Sequence, residues 1–160
     1  MKDGDLLRGL TGTREDVKTV VETIAQRVDP KSQPRDYADA IYGAVKRFVG
    51  QNDLSTALAI VEVSGSNDVS PALHMIGQKY ASKKDFVSVR KILENEKLTS
   101  IQAKGLLSGL IFSFYDLKRD SPEHKHILDL MSLERFDSDD RLTLEVDLND
   151  VLNRSAASES

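Results

Sequence analysis

The stretch from Ser70 to Leu93, SPALHMIGQKYASKKDFVSVRKIL, decides the fold. Ser70 followed by Pro71 is a helix-opening pair, because the hydroxyl can accept a free backbone N–H and proline is preset for the first turn. Leu73, Ile76 and Tyr80 then recur at helical spacing. After Ser82-Lys83-Lys84 and a capping Asp85, Phe86, Val89, Ile92 and Leu93 do the same. The stretch predicts two short antiparallel helices around a turn.

The same grammar extends in both directions. Residues 1–12, with Gly4, Gly9 and Gly12, read as a flexible arm. Thr13 caps a helix with Val17, Val20, Val21, Ile24 and Val28 on one stripe, ending before Pro30. After the 29–34 turn, a helix over about 35–49 carries Tyr37, Ile41, Val45 and Phe48, with Gly50 placed to end it. Asp53 caps the next helix, and Gly65 to Asp68 form a turn. Thr99 and Gln102 make a capping box for a helix running to about Leu117, apolar around much of its circumference and so expected to be the most buried. Ser121-Pro122 opens another.

Beyond residue 132 two patterns are superposed. Leu142, Leu144, Val146 and Leu148 alternate as in a strand, while Leu144, Leu148, Val151 and Leu152 form a helical stripe with Ser138 as cap. A helix over 138–153 that covers the end of the domain is the preferred reading. An extended acidic-hydrophobic segment that binds a partner is the other. Residues 154–160 read as a disordered tail, and 13–153 as a single domain.

The units repeat. Phe48, Tyr80 and Tyr115 each stand five residues before Asp53, Asp85 and Asp120, and each Asp precedes an apolar pair: Ile60-Val61, Ile92-Leu93 and Ile127-Leu128. The periods are 32 and 35 residues. At Leu73, Ile76-Gly77, Tyr80, Asp85-Phe86 and Leu93 the chain resembles the tetratricopeptide repeat family, and the likeness covers about residues 36–131. It departs at Val45 and Phe112, where the family has glycine, and at Val89, Glu96 and His124, where it has alanine. The resemblance implies an all-α fold of seven to eight helices, its antiparallel pairs stacked as a short right-handed solenoid. It also implies a groove lined by the first helix of each pair, here Asp39, Tyr42 and Lys46, then His74, Gln78 and Ser82, then Ser113 and Asp116. Such a groove would take a peptide or partner helix. The plainer reading of any one of these residues is a solvated surface position.

Composition narrows the function classes. The chain has 160 residues, 39% hydrophobic and 30% charged, with net charge −4 and no cysteine. Cysteine chemistry of every kind is therefore excluded. No apolar run reaches the length needed to span a bilayer, and the start lacks a signal-peptide core, so a cytoplasmic address is expected. No catalytic signature is present, His124 and His126 are spaced for different helix faces, and the acidic pairs read as solvated. A non-enzymatic protein with no cofactor and no metal site is expected. Lys79, Lys83, Lys84, Arg90 and Lys91 form a candidate basic patch, which raises RNA binding as an alternative, although interleaved acids weaken its field. A self-associating structural protein, a homo-oligomer, is a further alternative. The preferred reading is a protein-binding adaptor acting through its groove or its C-terminal segment.

Overall fold

The structure is a computed structural model and describes residues 14–65, 69–95, 98–114 and 116–159. The expected N-terminal arm, the Thr13 cap, turn residues 66–68 and the repeat position Tyr115 lie outside the described residues. Among those described there are eight helices and no strand. They are α1 (Arg14–Arg27), α2 (Pro34–Gly50), α3 (Leu54–Ser64), α4 (Ser70–Lys83), α5 (Phe86–Leu93), α6 (Ser100–Phe112), α7 (Pro122–Met131) and α8 (Ser138–Glu159). The protein is all-α.

Where the sequence predicts one domain over 13–153, the chain forms two compact units, Met1–Ile76 and Gly77–Ser160. In the first, α1, α2 and α3 pack against one another. Ile24, Ile41, Val45 and Ile60 are fully buried at the centre of their stripes. In the second, α6 packs on α7 and α8, and α5 on α7. Leu106, Leu107 and Ile111 make α6 the buried spine of that unit, as its nearly all-round apolarity predicts.

The turn that ends α2 recurs 32 residues later at the end of α4. Asn52 (φ 60°) and Lys84 (φ 52°) adopt the left-handed conformation. The N–H of the next residue reaches back five positions, Asp53 to the Phe48 carbonyl (2.9 Å) and Asp85 to the Tyr80 carbonyl (3.1 Å). A second bond runs from Asn52 N–H to Val49 O and from Lys84 N–H to Ala81 O, each 3.0 Å. This pair of bonds is a Schellman motif, which satisfies carbonyls that the helix end leaves orphaned. The five-residue spacing of Phe48 to Asp53 and of Tyr80 to Asp85 thus has a local cause: the ring residue's own carbonyl receives the Asp N–H. Each Asp then caps the following helix. Asp53 accepts from Thr56 N–H (3.3 Å) and hydroxyl (2.7 Å), and Asp85 from Ser88 N–H (3.1 Å) and hydroxyl (2.7 Å). One residue closes one helix and opens the next.

Three details differ from the sequence reading. The left-handed turn residue after α2 is Asn52, while Gly50 is the last helical residue. α8 is capped by Asp137, whose carboxylate accepts the Asp140 N–H at 2.8 Å, while the expected cap Ser138 is its first helical residue; α7 has the expected Ser121 cap, accepting from His124 N–H at 3.2 Å, with Asp120 (φ 64°) one position earlier, matching Asn52 and Lys84. The helix expected to reach Leu117 ends at Phe112, because Ser113 and Phe114 N–H groups bond only three residues back and tighten the last turn. That exit carries the Phe114 ring into a parallel stack with Phe86 (5.9 Å), on which His126 also stacks (4.7 Å).

α4 and α6 touch through glycine. A Cβ on Gly77 would lie 2.7 Å from both the Leu106 carbonyl oxygen and the Leu110 nitrogen. Only a residue without a side chain allows the two backbones this close.

Candidate functional site

The groove residues drawn from the resemblance are set out along three segments. Asp39 and Lys46 are exposed on α2, with Tyr42 half-buried between them. His74, Gln78 and Ser82 occupy exposed positions of α4. Ser113 caps the C-terminus of α6 with its hydroxyl on the Gly109 carbonyl (2.7 Å), and Asp116 lies beyond that helix. Of the candidate basic patch, Lys79, Lys83, Lys84, Arg90 and Lys91 are all exposed. Lys84 pairs with Glu123 (3.1 Å) and Arg90 with Glu94 (2.9 Å). Hydrogen bonds from the Ser88 hydroxyl and N–H hold the Asp85 carboxyl below its ordinary range, with Lys83 and Lys91 adding attraction. The hydrogen bond to its own N–H, followed by Lys84, does the same for Glu123. The cations of the patch are therefore interleaved with ionised carboxylates.

Two arginines that sequence reasoning passed over hold the second unit together. Arg135 donates to the carbonyls of Leu93, Asn95 (3.1 Å) and Leu98 (2.6 Å), at one wall of a cleft of about 720 Å³ beside Thr99 and Leu133. Arg141 donates to the carbonyls of Met131 (3.3 Å), Ser132 (3.3 Å) and Leu133 (3.2 Å), closing α7. Each places a cation where a helix leaves its carbonyls unsatisfied. His124 is likewise structural: its Nδ1 accepts the Asp120 N–H at 2.9 Å. Among the described residues no three His, Asp or Glu side chains converge as a metal site.

Among the described residues packing leaves Val87, Ile101, Leu128, Leu142 and Val146 exposed, and α8 is the helix that carries two of them. The 138–153 segment is helical, and the helix continues to Glu159 through residues assigned to a disordered tail; no Gly or Pro interrupts it. Leu144, Leu148, Val151 and Leu152 are buried, so the helical stripe is the inward one. Two polar links flank it and fix the helix's rotation on α6: Lys104 to Asp140 (3.4 Å) and Ser108 to Asp147 (2.9 Å). With that rotation set, Leu142 (61% exposed) and Val146 (55%) face solvent one turn apart. These are the two residues that made the sequence alternate like a strand. The alternation was the signal for a second apolar face on one helix.

With this geometry established, comparison with known proteins adds no relative. No protein-family model, curated protein or solved structure matches this chain. No helix among the described residues is long and apolar enough to cross a membrane.

Proposed function

We propose that this chain is a non-catalytic, cytoplasmic protein-interaction module built of tetratricopeptide-like helix pairs, and that its partner docks on the outer face of α8. One observation carries the proposal: α8 is apolar on two sides, and only one side is used in packing. Leu142 and Val146 leave more than half of their branched aliphatic surface in water, surface whose burial under a partner would be favourable. A polar residue at either site would suit an isolated domain better. The tetratricopeptide-like reading is supported by the two Schellman-Asp joints, which carry the chain from one helix into the next across only residues 51–53 and 84–85.

The test is a quantitative capture experiment with tagged chain against extract of the source cells. The unchanged chain and a Leu142→Ala/Val146→Ala chain are compared. Proteins retained by the first and lost by the second identify the partner. If both chains retain the same proteins in the same amounts, α8 is not the docking face and the proposal fails.

A further inference from the structure

The geometry points to a partner of defined chemistry: an amphipathic helix flanked by lysine or arginine that lies along α8 as a two-stranded coiled coil. This inference rests on the docking reading above and adds the chemical class of what docks. Its first support is spacing. Asp139, Leu142, Val146, Asn149 and Asn153 are all exposed, and they follow one another at intervals of three, four, three and four residues. That is the seam pattern of a coiled coil, in which each residue enters a hole on the facing helix. Leu142 and Val146 supply the apolar knobs, while Asn149 and Asn153 supply polar positions of the kind that fix register. α8 is 22 residues long, about three heptads, so it can engage a helix of useful length.

The second support is charge. Glu145 and Asp150 flank the seam and Asp139 begins it, all three exposed. The two arginines of α8 do not offset them: Arg141 is spent on the carbonyls at the end of α7, and Arg154 lies over the Phe112 ring (5.8 Å). A second copy of this chain is therefore disfavoured. In a parallel pair Glu145 would face Asp150 of the other helix, and in an antiparallel pair centred on Leu142 and Val146 it would meet Glu145. A helix with lysines or arginines beside its own apolar seam meets no such repulsion, and opposite charges along the seam also set partner choice.

The experiment uses two synthetic helical peptides of about three heptads, with identical Leu/Val seams and one Asn. One is flanked by Lys and the other by Glu. Calorimetry with the full chain should show the Lys-flanked peptide binding at least about tenfold more tightly, with affinity falling as salt rises. The Leu142→Ala/Val146→Ala chain should lose at least about tenfold for it. A Glu145→Lys/Asp150→Lys chain should reverse the preference between the peptides. All of these side chains are exposed, so circular dichroism should match the unchanged chain. Equal binding of both peptides, no binding of either, or an unreversed preference would overturn the inference. So would sedimentation showing a dimer that Leu142→Ala dissociates, which would assign the seam to a second copy. If the double-alanine chain loses a captured protein yet neither peptide binds, protein docking on α8 stands and the basic helix alone is rejected.

Discussion

Replacing Gly77 with alanine tests the close approach of α4 and α6. The added Cβ would sit 2.7 Å from two backbone atoms of α6, against an ordinary contact beginning at 3.4 Å. The helices must therefore separate by roughly 3.4 − 2.7 = 0.7 Å. No side-chain rotation relieves the clash, since both atoms belong to the helix backbone. A gap of that size forfeits a quarter to a half of the dispersion attraction at each contact along the seam. Overpacking of this kind costs about 1–3 kcal/mol. Against it stands the gain of up to about 1 kcal/mol when alanine replaces glycine inside a helix. The expected net loss is about 1–2 kcal/mol, or a fall of roughly 2–8 °C in Tm for a chain of this size. Urea and thermal unfolding followed by circular dichroism read it directly. Gly43 provides the internal control, because it is also helical and an added Cβ there meets nothing within 4 Å. Gly43→Ala should stabilise by about 0.5–1 kcal/mol. If Gly77→Ala proved as stable as the unchanged chain, or shifted the same way as Gly43→Ala, the close-approach argument would be refuted.

Further outcomes follow from the caps and turns. Asp85→Ala should cost about 1 kcal/mol at neutral pH, the ordinary loss for an N-cap. Because the folded Asp85 carboxyl lies below its ordinary value of 3.8, its contribution is complete well above that value and disappears as pH falls through the folded one. Denaturant titrations of both chains should therefore converge in strong acid and diverge near neutrality. Lys84→Gly should stabilise by about 0.5–1 kcal/mol by relieving a left-handed lysine, most clearly in about 1 M salt, where the Glu123 pair is screened. Arg135→Leu should lower stability by about 1–3 kcal/mol, since it strands carbonyls of Leu93, Asn95 and Leu98 together; an equally stable variant would show that water replaces the guanidinium without loss.

The helix starts were legible because their chemistry is local. Asp53, Asp85, Thr99 with Gln102, and Ser121 all cap the helices that their spacing to the first turn predicts. The all-α class followed from the same signals. What could not be read was anything settled between distant segments. Arg135 reaches carbonyls 37 to 42 residues away, and no pattern around it announces this. The early end of α6 depends on where Phe114 must go to meet Phe86. α8 shows both sides of the limit. Its two apolar sets, 142/146 and 144/148/151/152, were visible, but choosing the inward one required the Lys104 and Ser108 links on α6.

The joint at Asp53 and Asp85 also bears on how the chain acquires its structure. Its hydrogen bonds span three to five residues, so closing it costs little loop entropy and waits for no distant segment. The α2–α3 and α4–α5 hairpins can therefore set their own bend while the rest of the chain is still searching. Amides at Asp53 and Asp85 should gain protection early in pulse-labelled refolding, ahead of the bonds from Arg135 and Arg141. Order in this molecule would then spread outward from two corners, with the C-terminal helix among the last parts to seat.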